Sequence, residues 1–209
     1  MELTWFNIIE ILGTIAFASS GTTRAIRKQY DLFGLFVLGF VTAIGGGTIR
    51  DIFIGNLPVE WLSDFTLIST ITVTVILTYL FYRFMDKLRW WVFFFDAIGL
   101  GLFTILGIEK GLEFGLSPVI GLLLGVITAC FGGVIRDILS SEKPLLLREE
   151  IYAFASISGG VLYILLNFIT EMSHEVNAIF SVLLIVLVRT LSIRYKWSLK
   201  VPFKTQPPE

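Results

Sequence analysis

The chain carries little with which to do covalent or metal chemistry. It has one cysteine, Cys130, and one histidine, His174, in 209 residues. A lone cysteine forbids an intramolecular disulfide, and Cys130 sits in an apolar run, where a small packing residue is expected. His174 stands in the polar connection MSHEVN and is expected to be solvated. Neither supplies a tight metal set, and no nucleophile–base motif accompanies them. No enzyme and no cofactor are therefore expected. Charge is scarce as well: Asp, Glu, Lys and Arg make up 16% of residues, and the formal net charge is −1. That balance offers nothing to a nucleic acid. It also leaves too few polar groups to coat a soluble domain. The N-terminal MELTWFNIIE lacks the basic stretch of a signal peptide, so a cleaved leader is not expected.

Hydrophobic residues, by contrast, reach 55%. They gather in long continuous runs rather than alternating, which favours spanning helices over barrel strands. Seven runs are legible, at 7–26, 32–54, 65–84, 90–108, 118–139, 151–169 and 177–193. The expectation is a single all-α membrane domain over 1–209 with seven transmembrane helices. Trp5, Trp61, Trp90, Trp91 and Trp197 fall near the ends of these runs, as interfacial anchors should.

Basic residues fall unevenly between the connections. Arg24, Arg27 and Lys28 follow the first run, Arg83, Lys87 and Arg89 the third, and Lys143 and Arg148 the fifth. Arg194, Lys196, Lys200 and Lys204 follow the seventh, while the opposite connections hold only Lys110 apart from the helix-borne Arg50. The positive-inside rule then puts the N-terminus outside and the C-terminus in the cytoplasm. The tail at 195–209 is basic and then proline-rich, with its lysines near anionic lipid.

One segment occurs twice. AIGGGTIRD at 43–51 returns as ACFGGVIRD at 129–137, a constant 86 residues on. Without gaps, 14 of the 49 positions from Glu10 to Pro58 are identical to their counterparts. A repeat unit of three spans, 7–85 and then 90–170, is odd in number. The second unit must enter the membrane from the other side, which makes an inverted-topology repeat. The helix at 175–194 lies outside the symmetry and reads as apolar all round, a packing or lipid-facing helix.

Within each repeat, glycines interrupt a span: Gly45, Gly46 and Gly47 in the first, Gly132 and Gly133 in the second. Glycine in a helix costs roughly 1 kcal/mol against alanine. Small residues also let helices approach, and Gly121-x-x-x-Gly125 fits that use. Three in a row suit a kink or an unwound turn, tolerated in a membrane only where protein or water meets the freed backbone. Freed carbonyls would be hard oxygen ligands for a monovalent cation, and Thr42, Thr48 and Thr128 would add hydroxyls. Two such helices crossing near the midplane would make one hydrated constriction.

Charges follow each glycine cluster. Arg50-Asp51 and Arg136-Asp137 take matching places, as do Glu10 and Asp96 near the starts of spans one and four. Neighbours on a helix point about 100° apart, so each Arg and Asp is expected to bind elsewhere: across helices, or on unwound backbone. The arginines are natural partners for Glu10 and Asp96, because a carboxylate inside a span needs one. A structural ion network and a gating or vestibule role both fit these residues. Ser19, Ser20, Gly21 and Thr22 form a polar patch that lines water or bonds to backbone.

Together, GGGTIRD at 45–51, GGVIRD at 132–137, EILGTIAFASSG at 10–21 and DAIGLGLFTILG at 96–107 resemble prokaryotic members of the trimeric intracellular cation (TRIC) channel family. The resemblance covers about 7–193. The same group is also labelled a glycine transporter family. The resemblance implies a homotrimer in a prokaryotic inner or plasma membrane, with lipid around it and a pore for potassium and sodium in each subunit. It implies that kinked second and fifth spans line that pore. Permeant ions would pass transiently near Gly45, Gly46 and Gly132. Phe131 replaces Gly45 in the second copy and is a candidate apolar gate. A monovalent cation channel is the leading expectation. A secondary transporter of a small solute such as glycine is the alternative, and a scaffold without transport is a third.

Overall fold

The computed structural model describes residues 5–85, 90–148, 151–195 and 197, without the side chains at 84, 85, 90, 91 and 148. The expectations for Lys87, Arg89, Arg148, Lys196, Lys200, Lys204, Trp90, Trp91 and the tail beyond 197 fall outside the described residues or side chains. The described chain is helical: α1 Trp5–Arg27, α2 Leu32–Ile54, α3 Glu60–Ser63, α4 Phe65–Met85 and α5 Trp90–Glu113, then α6 Pro118–Leu139, α7 Leu145–Arg148, α8 Ile151–Ile169 and α9 His174–Tyr195.

Six of these helices, α2, α4, α5, α6, α8 and α9, are long and apolar enough to cross a membrane. The seventh expected span, α1, is 23 residues long but does not meet the same hydropathy standard. Polar residues run along it, Asn7 and Glu10 near its start and Ser19, Ser20, Thr22 and Thr23 in its second half, the last four all buried. Those groups face protein, because α1 packs against α2, α4, α5 and α6. The outer helices show the opposite pattern. Val73, Ile76, Leu80 and Phe81 on α4 and Ile179, Phe180, Leu183 and Leu187 on α9 are all exposed, as a lipid-facing surface requires.

The four central helices meet in two pairs. Between α1 and α5, Phe17 lies on Gly99 and Phe103 on Gly13, and the two rings stack at 5.1 Å. Between α2 and α6, Gly46 sits against the Thr128 carbonyl and Gly132 against the Thr42 carbonyl. Each contact maps onto its partner by the shift of 86 residues. The equivalents of Gly13, Phe17, Thr42 and Gly46 are Gly99, Phe103, Thr128 and Gly132.

Three expectations are corrected. First, α2 and α6 run unbroken through Gly45–Gly47 and Gly132–Gly133, so the expected unwound turn is absent. Gly45, Gly46 and Gly132 serve close approach between the two helices instead, the packing use. Gly121 and Gly125 do the same against α5. Second, α9 is not apolar all round. Its buried stripe includes Asn177, Ser181, Arg189 and Ser192, and Asn177 donates to Asn167 Oδ1 on α8 at 2.7 Å. Third, Trp61 is half-buried and packs on protein rather than standing free at a span end. It stands edge-on to Phe40 and donates to the Thr48 hydroxyl at 3.1 Å.

Candidate functional site: the α2–α6 crossing and its two ends

The α2–α6 crossing divides the molecule into two ends. Side A holds the start of α1 and the end of α2; side B holds the end of α1 and the end of α6. The two ends differ sharply.

Side A is open. One cavity of about 600 Å³ is lined by Asn7, Glu10, Asn56, Glu60, Asp64 and Lys110 among others. A second, of about 320 Å³, shares Glu10, Glu60 and Lys110 and adds Arg50, Glu109 and Glu113. A narrower space lined by Glu10, Thr14, Gly47, Thr48, Arg50, Trp61 and Phe103 leads inward from them. Five carboxylates outside the Arg50-Asp51 pair meet Lys110 and Arg50 here, so the mouth is acidic. A low-dielectric cleft with a net excess of one sign of charge attracts counter-ions, and the excess here is negative.

Side B is shut. Arg136 is 0% exposed. Its Nη1 donates to Asp96 Oδ1 at 2.5 Å and to the Ser20 hydroxyl at 2.7 Å. Its Nε donates to Asp137 Oδ1 at 2.9 Å. Arg24 approaches Asp137 at 3.7 Å, Lys28 pairs with Glu142 at 2.6 Å, and Tyr30 donates to the Leu139 carbonyl at 3.0 Å. The last three contacts tie the end of α1 and the turn after it to the end of α6 and the turn that follows.

The Arg-Asp pairs do bond to themselves, against the sequence expectation. Arg50 Nε reaches Asp51 Oδ1 at 2.9 Å, as Arg136 reaches Asp137. The long arginine arm bends round the roughly 100° between neighbouring side chains. The second oxygen of each aspartate then caps a short helix that sequence reasoning missed. Asp51 Oδ2 accepts from the Glu60 backbone N–H of α3 at 2.9 Å. Asp137 Oδ2 accepts from the Leu145 N–H of α7 at 3.0 Å. The repeated Pro58 and Pro144, just ahead of these caps, were the available signal.

The expected carboxylate partners divide. Asp96 does bind Arg136. Glu10 has no such bond to Arg50, whose partner is instead Glu60 at 2.6 Å. Glu10 is half-buried and lines the open mouth. Of the polar patch, Ser20 is brought to Arg136 and Ser19 accepts from Thr78. Thr42, Thr48 and Thr128 each donate to the carbonyl four residues back on their own helix, the usual habit of a helical threonine. Only Thr48 lines a described cavity. Phe131 is half-buried on α6, beside the crossing. Sequence reasoning passed over Glu60, Tyr152 and Arg189. The last carried a signal: a lone cation inside an apolar run. Arg189 is 0% exposed, its guanidinium 4.6 Å above the Tyr152 ring. Among the described residues no group of three or more His, Cys, Asp or Glu could hold a metal ion.

A family model described as "Glycine transporter" matches residues 7–83 and 93–167. The chain belongs to that family. A UPF0126 membrane protein of Vibrio cholerae is 43% identical over 205 residues, covering 97% of this chain and 84% of the relative. The UPF0126 inner membrane protein YadS of Escherichia coli is 39% identical over 195 residues, 93% of each chain. Solved structures match the fold. The TRIC trimeric intracellular cation channel orthologue from Rhodobacter sphaeroides superposes with a TM-score of 0.87 at 32% identity, covering 93% of this chain and 100% of that one. A structure described as the basis for conductance through TRIC cation channels gives 0.83 at 35% identity, covering 99% and 100%. This member of the glycine transporter family is thus a multi-pass membrane protein with a TRIC-like fold.

Proposed function

We propose that the protein is a cation channel that passes potassium and sodium between α2 and α6 of each subunit. The observation that carries this reading is the pairing of an acidic open mouth with a glycine crossing and a sealed far end. Cations gather at Glu10, Glu60, Asp64, Glu109 and Glu113 and advance to Gly47. They stop where α2 and α6 touch at Gly46 and Gly132. The conformation is closed. Parting the two helices would bare the Thr42 and Thr128 carbonyls that now face those glycines, and carbonyl oxygens suit a partly dehydrated monovalent cation. Likeness to solved structures described as cation channels supports the same reading.

In this account α1 is the seventh span, shielded from lipid by its neighbours. The halves are an inverted repeat, supported by contacts that exchange under the 86-residue shift. Side A faces outside and side B the cytoplasm, from the distribution of basic residues. The subunits form a homotrimer with lipid around the exposed faces of α4 and α9, by analogy with neighbours described as trimeric. A second reading, a glycine transporter, draws on the family description and on the inequality of the ends. A site open on one side and shut on the other also suits alternating access.

Purified protein in a planar bilayer separates the two readings. Discrete potassium currents are expected. Their absence, together with saturable counterflow of labelled glycine in proteoliposomes, would replace the channel with the transporter.

A further inference from the structure

The turns at the two ends of the repeat are not built alike. The 86-residue shift carries Gln29, after α1, onto Gly115, after α5, and Gly55, after α2, onto Ser141, after α6. All four are left-handed, with φ of 58° and 55° at Gln29 and Ser141 and 75° and 72° at Gly115 and Gly55. Glycine takes that conformation freely, whereas a side chain resists it. Side A thus closes α2 and α5 on glycines, and side B closes α1 and α6 on residues held against their preference. Such residues persist where their neighbours over-determine them. Here each turn is the other's neighbour. Lys28 Nζ lies 2.6 Å from Glu142 Oε1, and Arg24 approaches the same oxygen at 4.0 Å. Tyr30 donates to the Leu139 carbonyl at 3.0 Å. By the same shift Lys28 and Glu142 map onto Phe114 and Asn56, which cannot form an ion pair. Only the shut end carries the tie.

The charge pair is attached to the buried cluster behind it. The Glu142 N–H donates to the Asp137 carbonyl at 2.8 Å, and the Asp137 side chain holds Arg136. On α1, the Lys28 N–H donates to the Arg24 carbonyl at 3.1 Å. Arg24 lies one turn outward from Ser20, which accepts from Arg136. A helix of one repeat and a helix of the other thus grip Arg136 from two sides and are joined at the surface by charge. We propose that the two turns are a releasable latch: the Lys28–Glu142 pair keeps side B shut, and screening or removing it opens that end to solvent. The two side chains are 33% and 32% exposed. Ion pairs so exposed are weak and are screened by salt. A buried pair would lock the end, whereas this one can let go, and the two left-handed residues are free to relax when it does. The proposal concerns the shut end alone and holds whatever the protein transports.

Thiol labelling of the full chain in lipid nanodiscs tests it. In a Cys130→Ser background, Ser20→Cys puts a reporter at a position that is 0% exposed and beside Arg136. Its reaction with a neutral maleimide is expected to be slow at about 10 mM salt, where the screening length is about 30 Å, and several-fold faster near 1 M, where it is about 3 Å. Lys28→Gln and Glu142→Gln are each expected to give the fast rate at low salt, and the two together no more than either alone. Lys143→Gln removes a charge from the same turn without touching the pair and is expected to change nothing. A rate that ignores salt or the pair, or that rises as much with Lys143→Gln, would overturn the latch. If the Ser20→Cys chain does not fold, amide exchange without the reporter decides. The segment 138–142 is expected to exchange several-fold faster at 1 M salt and in Glu142→Gln, while the equivalent segment 52–56 on side A keeps its rate. Equal behaviour of the two segments would refute the proposal.

Discussion

Gly46 and Gly132 touch the opposing helix so closely that a methyl group would overlap a main-chain carbonyl, whereas the nearest atom to a methyl on Gly47 is 3.9 Å away. The three glycines that look alike in the repeat therefore differ in what they tolerate. Gly46→Ala and Gly132→Ala are expected to lose about 1–3 kcal/mol of stability through overpacking. Gly47→Ala is expected to be neutral or to gain up to about 1 kcal/mol from helix propensity. Thermal unfolding in detergent reads the difference; equal losses at all three would contradict the contact geometry. The arginines separate in the same way. Arg136 is enclosed with Asp96 and Asp137, whereas the Glu60 partner of Arg50 is 32% exposed. Arg136→Ala leaves buried carboxylates uncompensated, a loss of about 3–5 kcal/mol. Arg50→Ala is expected to cost clearly less, because water reaches Glu60.

Contacts between helix pairs correspond under the 86-residue shift. Phe17 fills the notch at Gly99, and Phe103 fills the notch at Gly13. Gly99→Ala should destabilise the α1–α5 pair, and Phe17→Ala in the same chain should recover part of that loss by making room. A double-mutant cycle measures the coupling, and additive effects would argue against the contact. Much at this scale was legible in the sequence. The identity of Gly13 with Gly99, Phe17 with Phe103 and Thr42 with Thr128 shows on alignment of the two copies. The continuity of α2 and α6 did not, because a glycine run fits a close crossing as well as a break, and only the opposing backbone decides. The buried stripe of α9 was hidden because Asn177, Ser181 and Arg189 are thinly spread through an apolar segment. Their spacing in multiples of four residues, and the one charge among them, was the overlooked pattern. Of the site, the sequence marked Asp96 and Arg136 as candidate partners. It did not mark Glu60, which reaches Arg50 from α3, a one-turn helix too short to leave a periodic pattern.

For the whole molecule, the account rests on an acidic mouth, a glycine crossing and a sealed end lying in series. The mouth acts through its field, so its effect should depend on salt. Glu10→Gln with Glu60→Gln is expected to lower potassium conductance at about 10 mM salt, where the screening length is about 30 Å. The difference should largely vanish near 1 M salt, where that length is about 3 Å. A deficit that persists at high salt would assign these residues a structural role. The crossing is the central claim and can be tested by locking it. Ile135 Cγ1, near where the sulfur of a cysteine at that position would stand, lies 3.8 Å from where a side chain would begin on Gly45, so cysteines at the two positions are close enough to be joined. In a Cys130→Ser background, Gly45→Cys with Ile135→Cys joins α2 to α6 beside the glycines. Potassium current through this variant in a planar bilayer is expected to stop on oxidation and return on reduction. Undiminished current with the cross-link verified by mass spectrometry would contradict the account, because ions would then pass without the helices parting.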